Sequence, residues 1–378
     1  MRWTYASLFV PVVAACVAGA EQSAGKVTAF EPGAIWADNN GVHINAHGGG
    51  ILYEDGVYYW YGEHKVEGDA GNYAQVGVHC YSSKDLLNWK DEGIALAVSE
   101  DPASPIAKGC ILERPKVVKC EATGKYVMWF HLELKGKGYA SAFSGVAVSD
   151  SPIGPFRFLR AGRINPGKWP LNLPEAEQRT DLSPVMPVLL RSAYREDDDR
   201  LAFLRRDFEK GQMARDMTIF VDDDGRAYHI YSSEENATLH IAELTPDYTA
   251  HTGRYVRLFP GRFHEAPAIC KRGGKYYMIT SGCTGWAPNA ARSMVSDSIF
   301  GEWKELGNPC VGENAGKTFG AQSTFILPVQ GRPDTYIFMA DSWRPANAID
   351  GRYVWLPLEF TEDGKLRLEM QESWTLEK

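Results

Sequence analysis

The run Gly274-Lys-Tyr-Tyr-Met-Ile-Thr follows a glycine-rich turn and consists mainly of aromatic and β-branched residues. A turn followed by such a run is typical of a β-strand that leaves a hairpin. Four other segments share the pattern: Gly56-Val-Tyr-Tyr-Trp-Tyr-Gly, Gly124-Lys-Tyr-Val-Met-Trp-Phe, Gly225-Arg-Ala-Tyr-His-Ile-Tyr and Asp334-Thr-Tyr-Ile-Phe-Met-Ala. A pattern that returns five times predicts a repeat architecture.

Further strand-like segments surround most copies of the run. Pro267-Ala-Ile-Cys precedes the copy at Gly274, and Ser293-Met-Val-Ser-Asp and Gly301-Glu-Trp303 follow it. Four strands in each of five units predict an all-β, five-bladed β-propeller. A β-sandwich would also contain many short strands, but it would not repeat a unit of this internal order. The longest departure from the repeat runs from Gly154 to Arg215, and we interpret it as an insertion. A role for this insertion as part of the wall around the substrate site is left open.

Composition limits the class of partner. The 378 residues are 44% hydrophobic and carry a net charge of −8, which favours a large folded core and argues against nucleic acid as a partner. The 11 Trp and 18 Tyr residues suit sugar rings, although aromatic residues also fill protein cores.

The first twenty residues have the pattern of an export signal. Arg2 precedes the apolar run from Leu8 to Val17, and Ala18-Gly19-Ala20 fits a cleavage site. We therefore predict a signal peptide over residues 1–20 and a propeller domain over 30–378. The alternative is a lipoprotein signal that ends before Cys16, with a lipid anchor on that residue. Either signal predicts a protein that is periplasmic, extracellular or lipid-anchored at the cell surface, and the rest of the sequence contains no apolar stretch long enough for a transmembrane helix.

The remaining cysteines and histidines do not indicate a cofactor. No two of the six cysteines after Cys16 have the Cys-x-x-Cys spacing of a zinc site, and we interpret most of them as buried free thiols. His240 is interpreted as a core residue. The sequence therefore predicts no metal and no cofactor, and a single propeller domain predicts a monomer.

A polar residue stands at the head of every predicted first strand, which in a propeller lines the central axis. These blade-head residues are His47, Glu113, Asp216, Glu265 and Gln322. Three carboxyl groups that face one funnel repel each other, so at least one of them should keep its proton near neutral pH. A protonated carboxyl group beside an ionised one suits glycoside hydrolysis. A ring of hydrogen bonds that merely closes the axis is the alternative interpretation.

The contexts of these residues resemble glycoside hydrolase family 43, and most closely its exo-β-1,3-galactanase-like branch. The resemblance extends from about Trp36 to Trp374. Its clearest stretches are Trp36-Ala-Asp-Asn-Asn-Gly-Val-His-Ile-Asn-Ala-His47, Tyr58-Tyr-Trp-Tyr-Gly-Glu63, Glu113-Arg-Pro-Lys, Arg215-Asp216-Met-Thr, Glu265-Ala-Pro-Ala, Gly285-Trp286-Ala-Pro-Asn289 and Gly320-Ala-Gln322-Ser-Thr.

The resemblance implies a role for each candidate site residue. Glu265 matches the general acid, and Asp216 matches the aspartate that tunes it. The aspartate base expected on the first blade is missing, because Ala46-His47-Gly48 occupies its place. The branch instead holds the attacking water with a glutamine, which matches Gln322. Glu113 matches a contact to the terminal sugar, with a role as base as the alternative. The predicted substrate-binding residues are His47, Glu63, Tyr139, Asn236, Thr284 and Trp286.

The resemblance also implies the reaction and the substrate. It predicts an inverting, exo-acting enzyme similar to galactan 1,3-β-galactosidases, which releases galactose or galactose-containing units from a plant-type polysaccharide. An α-L-arabinofuranosidase or a galactofuranosidase is the alternative within the same family. A carbohydrate-binding propeller without catalysis is an alternative of a different class.

Overall fold

A computed structural model describes residues 26–191 and 194–376, which form a β-propeller. The predicted signal peptide and Cys16 lie outside the described residues. Four sheets each contain four antiparallel strands in chain order. The first two are β1 (His47–Glu54), β2 (Val57–His64), β3 (Gly77–Ser83) and β4 (Lys90–Ala97), then β5 (Ile111–Cys120), β6 (Lys125–Glu133), β7 (Phe143–Ser149) and β8 (Arg157–Gly162). The next two are β9 (Met217–Val221), β10 (Ala227–Ser233), β11 (Thr238–Leu244) and β12 (His251–Leu258), then β13 (Glu265–Arg272), β14 (Lys275–Ser281), β15 (Arg292–Ser296) and β16 (Lys304–Gly307).

Two smaller sheets follow, so the described residues form six sheets and the prediction of five blades is wrong. The remaining strands are β17 (Cys310–Val311), β18 (Gln322–Pro328), β19 (Tyr336–Ser342), β20 (Arg352–Pro357), β21 (Glu359–Phe360) and β22 (Leu366–Glu369). Strands β18, β19 and β20 form the fifth sheet, and β17, β22 and β21 form the sixth. The sixth sheet escaped prediction because its strands have only two to four residues, too few to show an alternating pattern.

The innermost strands of the five larger sheets surround an axis. Each of β1, β5, β9, β13 and β18 contacts the next, and β18 contacts β1, so the cycle is closed. The sixth sheet lies outside this cycle and contacts β20. The predicted turn before Val57 is present as a two-residue hairpin in which Asp55 and Gly56 have φ values of 48° and 84°. Positive φ at both positions matches the twist of the flanking strands.

The cycle is joined by contacts between distant parts of the chain. Phe30 and Trp374 exchange two backbone hydrogen bonds, at 2.8 and 3.0 Å, and their rings stack with centroids 4.2 Å apart. Both residues belong to an aromatic core between the first and fifth sheets that also contains Trp60, Trp89 and Trp355. This core buries a large apolar area where the cycle closes, and hydrophobic burial therefore stabilises the closure.

The helices of the fold are short. Helices α1 (Met186–Leu189) and α2 (Ala202–Arg206) lie in the long segment between β8 and β9, and the 3₁₀ helices are Glu175–Glu177, Ser183–Val185, Ala315–Gly320 and Ala348–Asp350. Across the described ranges, no helix has the length and apolar character of a membrane span. The six described cysteines are free, and five of them are buried, which confirms the prediction of buried thiols.

Candidate active site

The heads of the inner strands surround a cavity of about 340 Å³. Eight of the ten predicted site residues line it: Glu63, Glu113, Tyr139, Asp216, Asn236, Glu265, Trp286 and Gln322. They come from all five sheets of the cycle, or from the loops that join their strands. The repeat thus brings together residues that are far apart in the sequence.

A β-bulge re-aims the chain at the head of several inner strands. The pairing register shifts just after His47 in β1, after Glu113 in β5 and after Glu265 in β13. The next residue in each case is left-handed, with φ values of 62°, 56° and 53° at Gly48, Arg114 and Ala266. Such bulges are common beside active sites because they turn a side chain out of the regular alternation. The recurrence of the bulge explains why the heads of β5 and β13 both reach the cavity.

A larger cavity of about 1120 Å³ lies at the opposite ends of the inner strands. Carboxylates there are paired with lysines: Glu54 with Lys119, and Asp222 with Lys271 at 2.5 Å. Because these charges are already neutralised by partners, this end of the axis lacks the reactive groups of the smaller cavity.

Glu265 has the properties of a general acid. Burial, followed by repulsion from Asp216, raises its pKa to about 7. Its Oε1 atom accepts a hydrogen bond of 2.7 Å from Nδ2 of Asn236. A carboxyl group with this pKa is partly protonated at neutral pH and able to donate a proton.

Arg114 connects Asp216 to Gln322. Its Nη2 atom lies 3.0 Å from Oδ2 of Asp216 and 2.6 Å from Oε1 of Gln322. Asp216 Oδ2 also accepts a hydrogen bond from the backbone N–H of Ala266, at 3.1 Å. Asp216 therefore has two donors on one oxygen, and its charge acts on the neighbouring Glu265.

Glu113 lies in the same cavity in a contrasting environment. His131 Nδ1 is 2.8 Å from one of its oxygens, and the Tyr139 hydroxyl donates to the other at 2.8 Å. Burial alone would raise the pKa of Glu113, but the hydrogen bond and charge of His131 outweigh burial and hold it at about 2. Burial likewise opposes protonation of His131, yet hydrogen bonds to Glu113 and Glu133 raise its pKa to about 9. Glu113 is therefore ionised at neutral pH.

Two predicted substrate contacts lie outside the cavity lining. His47 is fully buried, stacks on Tyr353 with centroids 5.4 Å apart, and has Nδ1 3.8 Å from Asp341. Thr284 is exposed, and its hydroxyl donates to the backbone carbonyl of Ala287 at 2.5 Å. The neighbouring Gly285 and Trp286 line the cavity in its place.

The carboxylate that the first sheet contributes to the cavity belongs to Glu63, which lies in β2 and not at the head of β1. It pairs with His47 in the strand register, and a Cβ atom on Gly48 would lie 2.3 Å from its Oε1. Glycine at position 48 therefore leaves space for Glu63. The Glu63 carboxylate accepts from the backbone N–H of Arg114 at 3.0 Å and pairs with Lys65 at 2.6 Å.

Sequence analysis missed six residues of the lining, namely Asn72, Arg114, His131, Arg215, Gly285 and Trp343. Arg114 and Arg215 stand next to blade-head residues, so adjacency was an available signal. Trp343 directly follows β19, in which Asp341 pairs with Gln322 of β18. The Nε1 atom of Trp343 donates to Gln322 Oε1 at 2.9 Å. Neither the repeat nor a motif singled out Asn72, which donates to the Tyr139 hydroxyl at 2.7 Å.

One group among the described residues has the spacing of metal ligands. Single ligand atoms of Glu113, His131 and Asp216 lie within 4.8 Å of one another. However, both ring nitrogens of His131 already bond to carboxylates, and its raised pKa keeps both of them protonated. A protonated imidazole has no free lone pair for a metal, so the group is better described as an ion pair.

Comparisons with known proteins relate the chain to glycoside hydrolases. The family model of glycosyl hydrolases family 43 matches residues 204–366. A family 43 β-1,3-galactosidase solved with galactodeoxynojirimycin is 54% identical, with 92% of this chain and 100% of that chain covered and a TM-score of 0.88. The search of curated proteins gives no match.

Two exo-β-1,3-galactanase structures are also similar. The enzyme from Clostridium thermocellum is 36% identical, with 91% of this chain and 66% of that chain covered and a TM-score of 0.72. The enzyme from Phanerochaete chrysosporium, solved with β-1,3-galactotriose, is 28% identical, with 93% and 68% covered and a TM-score of 0.72.

A propeller whose funnel holds a protonated carboxyl group near ionised ones has the chemistry of a glycoside hydrolase. At 54% identity over the whole of a family 43 structure, the relationship is that of family members. The chain belongs to family 43 of the glycosyl hydrolases.

Proposed function

We propose that this glycoside hydrolase removes terminal galactose units from β-1,3-galactan with inversion of anomeric configuration. The observation that carries the proposal is the contrast between two carboxyl groups in one cavity. Glu265 has a pKa of about 7 and Glu113 has a pKa of about 2, so near neutral pH one holds a proton while the other is ionised. Glycoside hydrolysis requires an acid for the leaving oxygen and anionic groups that stabilise the positively charged transition state.

The acid side of the mechanism uses two residues. Glu265 protonates the glycosidic oxygen as the bond to the anomeric carbon breaks. The charge of Asp216 helps to keep that proton on Glu265 until the reaction, because it disfavours a second anion nearby. After turnover, Glu265 recovers a proton from solvent.

On the water side, Gln322 is held in one orientation. Its Oε1 accepts from both Arg114 and Trp343, and its Nε2 donates to the Ser281 hydroxyl at 2.9 Å. Both acceptor sites of the amide oxygen are therefore in use, and one N–H remains available. We assign to Gln322 the orientation of the attacking water through this N–H, and to Glu113 a contact with the terminal sugar. As the water oxygen bonds to the anomeric carbon, the proton that it loses passes to solvent, which balances the proton that Glu265 takes up after turnover.

Two observations support the choice of substrate and exo action. The cavity volume of about 340 Å³ lies at the small end of the range for ligand sites, which suits a terminal sugar better than a long internal segment. The similar structures carry the activities β-1,3-galactosidase and exo-β-1,3-galactanase.

We also propose that the protein is exported, since a polysaccharide too large to enter the cell must be cut outside it. Cell fractionation tests this proposal, and a Cys16→Ser variant distinguishes the two signals. Release of this variant from a membrane-bound pool would favour the lipid anchor, whereas unchanged distribution would favour the plain signal peptide.

The main test is incubation with β-1,3-galactan, arabinogalactan and synthetic α-L-arabinofuranosides, with the products followed by ¹H NMR. We expect galactose to appear first as the α-anomer from the β-linked polymer. Release of the β-anomer would contradict inversion, and release of arabinose alone would favour the arabinofuranosidase alternative. A mixture of internal fragments would contradict exo action.

A further inference from the structure

The loop between β10 and β11 is a strained turn that points at the acid. Glu234, Glu235 and Asn236 follow one another with φ values of 54°, 57° and 65°. The left-handed conformation is unfavourable for a residue with a side chain, so three in succession persist only where surrounding contacts hold them. The third of these residues donates to Glu265.

Two ion-pair clusters hold this turn. Glu234 is fully buried, pairs with Arg257 at 2.7 Å and accepts from His240 at 2.8 Å. Glu235 pairs with Arg206 at 2.8 Å and with Arg215 at 2.9 Å. Breaking the buried pair of Glu234 would leave an uncompensated charge, so this cluster fixes the turn most strongly, and the half-buried pairs of Glu235 add to it.

Two of these partners, Arg206 and Arg215, come from the long segment between β8 and β9. Arg206 is the last residue of α2. The insertion predicted from the sequence therefore reaches the acid through a short chain of contacts: Arg206 to Glu235, then along the backbone to Asn236, and then to Glu265.

The hydrogen bond from Asn236 distinguishes the two oxygens of Glu265. Its Nδ2 donates to Oε1, and an oxygen that accepts this bond serves as the carbonyl oxygen of a protonated carboxyl group. The proton then resides on Oε2. We infer that Asn236 is a positioning residue that directs the acidic proton of Glu265 to Oε2, and that the insertion holds Asn236 in place through Arg206 and Glu235.

This inference rests on the proposed role of Glu265 as acid. The other charged or titratable groups that act on Glu265 are Asp216 before β9, Arg114 in β5, Cys283 after β14 and Arg215 before β9. None of these four belongs to the left-handed turn. Arg215 pairs with Glu235 of the turn, so the first test changes Asn236 alone and leaves that pair intact.

The first test is Asn236→Gly, because glycine accepts the left-handed backbone without strain and removes only the side chain. Loss of a hydrogen bond to the ionised carboxylate should raise the pKa of Glu265, and the basic limb of kcat/KM should move up by about one pH unit. At pH 6, kcat on β-1,3-galactobiose should fall about tenfold, a fraction of what a positioned acid contributes. An aryl β-galactoside with an acidic phenol as leaving group should lose much less.

The second test is Arg206→Gln, with Arg191→Gln as the matched control. Arg191 pairs with Asp198 in the same insertion but not with the turn. We expect Arg206→Gln to move the basic limb in the same direction as Asn236→Gly, by a smaller amount, and Arg191→Gln to leave it unchanged. Equal losses on both substrates with an unmoved basic limb would overturn the inference, since misfolding alone gives that result.

A readout that does not depend on the substrate separates this inference from the proposed function. The carboxyl titration of Glu265 is followed by infrared difference spectra against Glu265→Gln. An upward shift in Asn236→Gly supports the inference even if β-1,3-galactan is not cleaved. An identical titration in wild type and variant overturns it even if the polymer is cleaved.

Discussion

Glu265 and Glu113 occupy the same position in the repeat, close to the axis of the propeller. Near neutral pH, however, Glu265 is partly protonated and Glu113 is ionised. Around Glu265, burial and the charge of Asp216 favour the neutral form. Around Glu113, the protonated ring of His131 and the hydroxyl of Tyr139 favour the anion. Both groups are buried, so the difference between pKa values of about 7 and about 2 arises from their neighbours.

The difference shows how a repeat acquires two chemical functions. The bulge after each residue aims both side chains into one cavity, which is a property of the backbone. The proton affinity is then set by different neighbours, Asp216 beside Glu265 and the β6 residue His131 beside Glu113. Changes at these neighbours should alter one side of the cavity without altering the other.

The largest effect is expected from Glu265→Gln. The amide cannot donate an acidic proton, so kcat on β-1,3-galactobiose should fall about 10³-fold while the sugar still binds. Steady-state kinetics and calorimetric titration with galactose measure the two quantities. Glu209→Gln, the same change at an exposed position, is the control. Activity within tenfold of wild type would exclude Glu265 as the acid.

The next largest effect is expected from Glu113→Gln. The loss of an ionised partner for the sugar should lower kcat/KM about 100-fold, largely through KM. Sodium azide distinguishes contact from base catalysis, because azide replaces a water that needs a base. We expect no rescue by azide, whereas recovery with an azide product of inverted configuration would make Glu113 the base.

A smaller effect is expected from His131→Gln, which keeps a hydrogen-bond donor but removes the positive charge. The pKa of Glu113 should rise from about 2 towards the ordinary value of a glutamate. The wild-type kcat/KM should be flat between pH 4 and 6, and the variant should lose about tenfold on its acid side in this range. A flat profile in the variant would mean that ionised Glu113 is not required.

The smallest effect concerns stability. The folded-state pKa of Glu265 is raised, so the folded protein binds more protons than the unfolded chain between about pH 4.5 and 7, and stability falls as the pH rises through this window. Glu265→Gln should therefore increase the free energy of unfolding at pH 8 by about 1–3 kcal/mol, with little change at pH 4.5. Urea denaturation at both pH values checks this, and equal changes at both would contradict the assignment of the shift to Glu265.

Much of this comparison was predictable from the sequence. Long aromatic strands such as Val57–His64 and Lys275–Ser281 were recognisable because a run of strand formers beside a tight turn has few other solutions. The polar heads followed from the repeat, and four of the five line the cavity. His47 does not, because residue type and repeat position cannot reveal that Glu63 from the neighbouring strand fills the space beside Gly48.

Other features depend on contacts between distant residues. The sixth sheet forms from β17 and the pair β21 and β22, which lie on either side of the fifth repeat and are too short to give a pattern. The bridge from Arg114 to Asp216 and Gln322 joins three sheets. The insertion's link to the acid through Arg206 and Glu235 is of the same kind. Local propensity contains no information about these pairings.

The contact between Phe30 and Trp374 helps to hold the cycle of sheets closed. Every sheet of the cycle contributes residues to the cavity. Separation of any two neighbouring sheets would therefore move Glu265 away from its partners. Loss of activity on heating should therefore coincide with the global unfolding transition rather than precede it. The catalytic rate of this enzyme therefore reports whether the cycle of sheets is intact.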